Sequence, residues 1–509
     1  VRSISPKGGH INIINPQVTR RRWIQQSAAL AGGVAASSIL PSSILSAAAQ
    51  SPATATTWVS TTATACWQPQ PLRPAGWRWD TLDAWVDLAS ANTATPAIHG
   101  FGACFNELGW TSLQALTDEQ RESIFKELFS PGVGANFTLC RMPIGANDFS
   151  RGWYSYDEQP NDFALDHFSI ANDLETLVPF IKKAQRYNPS LELWASPWSP
   201  PSWMKHNEHY AAQMQRPGLP PNGLKSDQVG KEGTDLFILE DKYLKTYAAY
   251  FGRFIDAYRQ QGIPISIVMP QNEFNSSQPF PSCTWTPAGL AKFLRFLGPE
   301  MSSRHVEIFF GTLERGNPSL LDAVLADPDA GPYIKGVGVQ WAGKAAVAAI
   351  HAEHPALTLY QSEQECGDGK NDWTYAGYCW DLMKYYLRNG VSGYMYWNLS
   401  LERGGESHWG WPQNSLITVD RKAKTYAFNH EYYLLKHVSH FVQCGAKRLN
   451  VHGTFDDALA FLNPDRSVVM ILRNESAQER AIDLTIGQIK VSGLMAADSF
   501  TTMLLPHTA

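Results

Sequence analysis

Two glutamates set the chemistry to consider. Glu273 closes the run "IPISIVMPQNE" and Glu363 closes "LTLYQSE". Two carboxylates at one end of a parallel β-barrel are the minimum machinery for retaining cleavage of a glycosidic bond. One protonates the leaving oxygen; the other, roughly 5–5.5 Å away, attacks the anomeric carbon, and a wider gap implies inversion. The two must sit in different environments, so that one stays protonated while the other is ionised. Alternate strand residues share a face, which aligns Ile265, Ile267, Met269, Gln271 and Glu273, and likewise Leu357, Leu359, Gln361 and Glu363. Each glutamate is then the last same-face residue of its run. Glu365 has the same parity as Glu363, and surface glutamates at loop starts fit the spacing too, so the pattern alone leaves the choice open.

The elements that must position this pair are legible as an alternation. Short apolar runs bounded by Gly, Pro or Asn predict strands over 99–105, 136–145, 191–198, 265–273, 306–314, 336–341, 357–363 and 393–400. Between them lie helical periodicities, including "TDEQRESIFKELF" with a Thr117/Gln120 capping box and "TPAGLAKFLRFLGPE" with Pro287 in a first turn. The last helix is expected in "KTYAFNHEYYLLKHV", after the eighth strand. The fold class is therefore α/β: a (β/α)8 TIM barrel over 95–440 with an attached small β-sandwich-like side domain over 441–509. A doubly wound open sheet competes, without a glycine-rich dinucleotide fingerprint to support it. The segment 50–94 is expected to contribute to the side domain through "TATTWVSTTATACW".

Residues 1–49 read as a twin-arginine export signal: paired arginines in "TRRRWIQ", a weakly apolar stretch from Ala28 to Leu45, and Ala47-Ala48-Ala49 as a cleavage site. A basic flexible tail is the competing reading. Ser and Pro interrupt the stretch, so no integral membrane span is expected in the mature protein, and the expected location is periplasmic or extracellular. A net charge of -5 argues against a nucleic-acid partner. Seven scattered cysteines hold no C-x-x-C pair, and Cys104, Cys140 and Cys366 read as packed thiols rather than nucleophiles. No zinc motif is present, and no metal or cofactor is expected. The 18 tryptophans fit either a core or platforms for sugar rings.

The chain resembles glycoside hydrolase family 30, the glucosylceramidase-like β-glycosidases. The resemblance lies in "GFGACFNELGW", "RMPIGANDFS", "LWASPWSPPSWMK", "PQNEFNSSQPFPSCTWTP", "LYQSEQECGDG" and "YWNLSLERGG", in order, and in "DRSVVMILRNES" of the side domain. It implies Glu273 as the acid/base, Glu363 rather than Glu365 as the nucleophile, and Asn272 as a partner of the substrate 2-hydroxyl. It further implies Asp148 as a hydroxyl-binding carboxylate, Trp198 and Trp397 flanking the sugar, and Gln340, Trp341 and Asn414 as substrate-binding residues. Asn272 also reads as a strand-end turn residue and Asp148 as a cap. Two departures from the family pattern stand out. Phe274 replaces the usual Pro after Asn-Glu, and Gln340 stands where relatives carry a histidine, which removes a titrating group. The partner implied is a carbohydrate or glycoconjugate with a gluco- or galacto-type β-linkage. Exo action on a β-glucoside or glucosylceramide, endo action on a β-1,6-glucan or galactan, and action on a β-xyloside or β-fucoside all remain open. So do transglycosylation and a non-catalytic carbohydrate-binding protein on the same fold.

Overall fold

The computed structural model describes residues 57–70, 82–93 and 95–506; the expected signal segment lies outside them. Eight parallel strands close into a barrel. In chain order they are β1 (Gly100–Cys104), β2 (Leu139–Ile144), β3 (Glu192–Pro197), β4 (Ile267–Val268), β5 (Glu307–Leu313), β6 (Ile334–Gln340), β7 (Thr358–Glu363) and β8 (Val391–Asn398). Closure runs through the parallel pairing of β8 with β1, Gly393 opposite Gly100. Leu139, Trp194, Ile267, Met269, Phe309, Tyr360 and Met395 fill the interior as one apolar cluster. Burial of each aliphatic member contributes roughly 1.5–3 kcal/mol. Room for them comes from glycines: a Cβ on Gly338 would stand 2.3 Å from Met269 Sδ. The barrel is thus plugged by side chains, and chemistry is confined to its rim.

The helices form where their apolar positions recur at helical spacing. Asp241–Gln260 buries Leu244, Tyr247, Phe251, Phe254 and Tyr258 along one stripe. Asp118–Phe129 starts on the expected capping box, Thr117 Oγ1 accepting from Gln120 N while the Gln120 side chain returns to Thr117 N. Three expectations are corrected. The helix read through "NDLETLVPFIKKAQRY" is two pieces, Ala171–Glu175 and Leu177–Tyr187, broken at Thr176 (φ -128°, ψ -76°), a β-branched residue less suited to a helix interior. The helix read from Lys424 begins only at His430. Ahead of it Thr425–Phe428 is a strand paired with Ile417–Asp420, which in turn joins Ser400–Glu402. The alternation of Tyr426 and Phe428 was the period-2 signal there, and Asn429 divides the two elements. The strand expected over 265–273 is regular only over Ile267–Val268; beyond it single backbone bonds, Met269 N to Ala195 O (2.9 Å) and Asn272 N to Pro197 O (2.7 Å), keep the chain beside β3.

The side domain holds its strands in the order Ile489–Met495, Arg480–Ile486, Ala84–Asp87, Lys447–Gly453, Ala458–Leu462, Val468–Asn474, Ser499–Leu505, Thr57–Thr62 and Gln68–Pro69. The segment ahead of the barrel does supply strands: Thr57–Thr62 runs antiparallel to Ser499–Leu505. Trp58, Val86, Leu449, Met470, Ile482 and Met503 share its separate core, which makes it a β-sandwich beside the TIM barrel.

Candidate active site

Glu273 and Glu363 meet at the C-terminal mouth of the barrel; Glu273 shares the parity of the inward Ile267 and Met269, whereas Glu363 does not arrive by strand parity. In β7, Leu359 packs outward while Tyr360 points into the barrel. Strict alternation would send Glu363 outward with Leu359. A register shift between Gln361 and Glu363 against β6 turns it instead, a device that re-aims a side chain at a barrel rim. Glu273 sits five residues past β4 with φ 45°, left-handed backbone that a residue with a Cβ adopts at a cost. Thr312, at the end of β5, holds it there: Thr312 Oγ1 accepts from Glu273 N (2.9 Å) and donates to Asn272 Oδ1 (3.0 Å).

One amide joins the two carboxylates. Gln340 Nε2 lies 3.4 Å from Glu273 Oε1, 3.3 Å from Glu363 Oε2 and 3.3 Å from Asn272 Oδ1. Ser362 Oγ donates to Gln340 Oε1 (2.9 Å), which fixes the amide with its nitrogen toward the acids. A single nitrogen in reach of both keeps the two carboxylates close together, as the short separation of a retaining pair requires.

The surroundings then separate the pair. Glu363 Oε2 accepts from Arg141 Nη1 (2.7 Å) and Glu363 Oε1 from Trp341 Nε1 (3.0 Å). Burial raises its pKa, and Arg141, Trp341 and Gln340 pull it back. Among the described residues Glu273 has no contacting cation: Gln278 Nε2 donates to its Oε2 (3.2 Å), and burial followed by the charge of Glu363 raises it to about 7. Arg141 is fully buried and unites the site. It also donates through Nη2 to Asn272 Oδ1 (2.7 Å) and Ser196 Oγ (2.9 Å), and its guanidinium stacks 4.3 Å from the Trp198 ring and 5.2 Å from that of Trp397. With Oδ1 taken by three donors, Asn272 has Nδ2 left to offer a sugar hydroxyl.

Of the other expected residues, Asp148 is buried with its Oδ1 unpartnered among the described residues. Burial, then the charges of Glu363 and Glu273, holds its carboxyl well above the usual range. The Glu107–Arg151 ion pair (2.9 Å) braces its loop. Trp198 and Trp397 stack on each other (5.3 Å) and are buried beneath Arg141, forming the floor of the site rather than open flanks. Asn414 is not brought into the site. Its Oδ1 accepts from Gly369 N and Asn371 N and its Nδ2 donates to Glu431 (2.8 Å), so it is a loop brace. Phe274 is likewise buried, edge-on to Phe310, and lines no opening. Glu365 is held by Lys344 (2.7 Å) and Tyr378, apart from the pair. The seven cysteines carry no disulfide, and Cys104, Cys140 and Cys366 are buried thiols with raised pKa values.

Two residues escaped the sequence reading. Arg141 announced itself as a charge inside the apolar run "NFTLCRMPIG". Glu314 follows β5 as a third strand-ending glutamate. It is buried against Arg315 (3.1 Å), the Asn275 amide donates to both its oxygens (2.9 and 3.0 Å) once its O and N are exchanged, and burial followed by the charge of Glu273 raises it to about 8.

With this geometry in place, comparison with known proteins is decisive. Residues 98–442 match the glycosyl hydrolase family 30 TIM-barrel domain and 445–503 the family 30 beta sandwich domain. The chain belongs to glycoside hydrolase family 30. It is a glycosidase of the retaining type typical of that family. This family 30 protein is 28% identical to the lysosomal acid glucosylceramidase of Mus musculus over 418 residues, 76% of each chain. It is 27% identical to endo-1,6-beta-D-glucanase neg1 of Aspergillus fumigatus over 451 residues, 82% of this chain and 87% of that one. The crystal structure of SrfJ from Salmonella typhimurium shares the fold, with a TM-score of 0.76 at 23% identity, covering 89% of this chain and 99% of that one. Among the described residues no helix is long and apolar enough to cross a membrane.

Proposed function

We propose that this family 30 glycosidase hydrolyses a gluco- or galacto-type β-glycoside by double displacement, with Glu363 as nucleophile and Glu273 as acid/base. The observation that carries the assignment is the asymmetry about the Gln340 amide. Glu363 meets Arg141 and the Trp341 indole, which favour its anion, while Glu273 meets only neutral amides and is raised to about 7. Glu363 attacks the anomeric carbon as Glu273 gives its proton to the departing oxygen. Glu273, now ionised, then deprotonates the water that cleaves the glycosyl ester. Asn272 Nδ2 supports the 2-hydroxyl, where a hydrogen bond strengthens as oxocarbenium character develops, and Asp148 Oδ1 offers a partner to another ring hydroxyl. Export through Arg20, Arg21 and the apolar stretch behind them belongs to the same proposal, and cell fractionation of an Arg20→Lys, Arg21→Lys double variant tests it.

The test of the reaction is hydrolysis of aryl β-glucoside and β-galactoside by wild type, Glu273→Gln and Glu363→Gln. Glu363→Gln should release no aryl alcohol while still binding a β-glycoside. Glu273→Gln should lose about 10²–10⁴-fold in kcat on a poor leaving group and far less on an activated one, the range a positioned general acid supplies. Equal losses in Glu273→Gln on both leaving groups would remove the acid role.

A further inference from the structure

The rim beside Glu273 carries an aromatic wall that the reaction itself does not use. Gln278, bonded to Glu273 Oε2, begins a turn that places Phe280 two residues on. From there ring contacts run without a break across four separate loops. Phe280 meets Trp411 (centroids 5.1 Å), Trp411 meets Trp409 (6.5 Å, 22°), Trp409 meets Tyr210 (6.4 Å) and Tyr210 stacks on Trp153 (5.0 Å, 19°). These rings belong to the segments after β4, β8, β3 and β2. Phe280, Trp411, Tyr210 and Trp153 are half-buried, whereas tryptophans that serve only as core, such as Trp285 and Trp380, are wholly covered.

The wall is built in advance of any ligand. Lys205 Nζ, fully buried and without a carboxylate contact among the described residues, donates to Tyr210 O (3.0 Å), Ser282 O (2.7 Å) and Ser199 Oγ (3.1 Å), which ties the β3 and β4 loops together. Gln278 O accepts from Ala212 N and Gln213 N, Asn222 Nδ2 donates to Pro279 O, and Gln215 Nε2 donates to Trp409 O. Rings fixed in this way meet a ligand with little ordering cost.

Position decides which part of the substrate they meet. A general acid lies beside the oxygen it protonates, so groups adjoining Glu273 face the leaving group, while those around Glu363 and Arg141 face the sugar that is attacked. Composition decides the class of leaving group. A lipid tail requires a continuous aliphatic trough. In these loops the open aliphatic surface among the described residues is Met214 (45% exposed) and the short Pro217, Leu219, Pro220 and Pro221 stretch of one loop, whereas the ring contacts run unbroken from beside Glu273. Flat aromatic faces with polar edges suit the C–H faces of a sugar.

We propose that Phe280, Trp411, Tyr210 and Trp153, joined through the buried ring of Trp409, form a leaving-group subsite for a further β-linked hexose, so that the substrate is a gluco-oligosaccharide rather than a glycolipid. The proposal rests on the double-displacement reading above. The test compares wild type, Phe280→Ala and Trp411→Ala on an aryl β-glucoside, on β-1,6- and β-1,3-linked glucose oligosaccharides, and on glucosylceramide in detergent micelles. Each variant should lose roughly three- to tenfold in kcat/KM on one oligosaccharide series, carried by KM, and distinctly less on the aryl glucoside. In a Glu363→Gln background, calorimetric titration should show the oligosaccharide binding more tightly than glucose, with the difference reduced by Trp411→Ala. Equal losses on every substrate with a lowered melting temperature would make the rings mere loop packing and overturn the subsite. Cleavage of glucosylceramide in preference to every oligosaccharide would overturn it in favour of a lipid. Hydrolysis of none of the substrates by wild type would instead remove the reading beneath it, and the titration would still decide whether the wall binds sugar.

Discussion

Removing the charge of Arg141 should move the acid limb of the pH–rate profile. The guanidinium touches Glu363 at 2.7 Å in a fully buried setting, and it is the largest influence opposing the rise that burial imposes on that carboxyl. An opposite charge at such a distance depresses a carboxylate pKa by about 1–3 units, equivalent to about 1.4–4 kcal/mol. Arg141→Met keeps much of the volume against Trp194, Trp198 and Trp397 but leaves burial opposed only by the Trp341 and Gln340 hydrogen bonds. The Glu363 pKa then climbs by about 1–3 units. The assay is kcat/KM against pH on an aryl β-glucoside, where the acid limb reports nucleophile ionisation and the alkaline limb, near the Glu273 value of about 7, reports loss of the acid's proton. The acid limb should shift upward toward the alkaline one and the bell should narrow, with its maximum lowered. Arg141→Lys should fall between, because an ammonium keeps the charge but cannot bridge Glu363, Asn272 and Ser196 at once. A lower maximum with the acid limb unmoved would refute the reasoning and leave Arg141 a packing residue.

Two further outcomes follow from the same network. Gln340→Ala removes a hydrogen bond that lowers the Glu273 pKa, so the alkaline limb should move up while kcat/KM falls by about tenfold, the scale of one lost hydrogen bond to a charged group; an alkaline limb that moves down contradicts the bridge. Glu273 also links stability to pH. Its folded pKa of about 7 exceeds the ordinary carboxylate value, so its contribution is full below about pH 4.5 and is lost as pH rises through about 7. Glu273→Gln should therefore raise the melting temperature above pH 7 and flatten its decline between pH 4.5 and 7, and parallel wild-type and variant curves would deny the elevated pKa.

Most of the barrel was legible because its determinants are local. Strand runs between Gly and Pro, the Thr117 capping box and the Tyr and Phe stripe of Asp241–Gln260 each carry their own signal. The site was legible as residue types, not as geometry. Parity placed Glu363 on the face of Leu359, and only the register shift against β6, a property of two strands together, brings it into the mouth. Glu273 lies beyond the end of a two-residue strand, and its direction is set by Thr312 of β5, distant in sequence. Arg141 and Glu314 were visible as a charge within an apolar run and a carboxylate at a strand end, but their importance depends on partners far along the chain. Asn414 and Phe274 show the reverse: each stands beside family motifs, yet one braces a loop and the other fills core.

The central claim is that Glu363 becomes covalently attached to the sugar. Incubation with an activated 2-deoxy-2-fluoro β-glucoside, which slows both steps and stabilises the glycosyl ester, followed by peptide mass spectrometry, tests it directly. The account predicts one added fluorosugar on the peptide bearing "LTLYQSEQE", with fragmentation placing it on Glu363 and no labelling in Glu363→Gln. A label on Glu365 or Glu273, or turnover of the reagent with inverted product and no adduct, would contradict it.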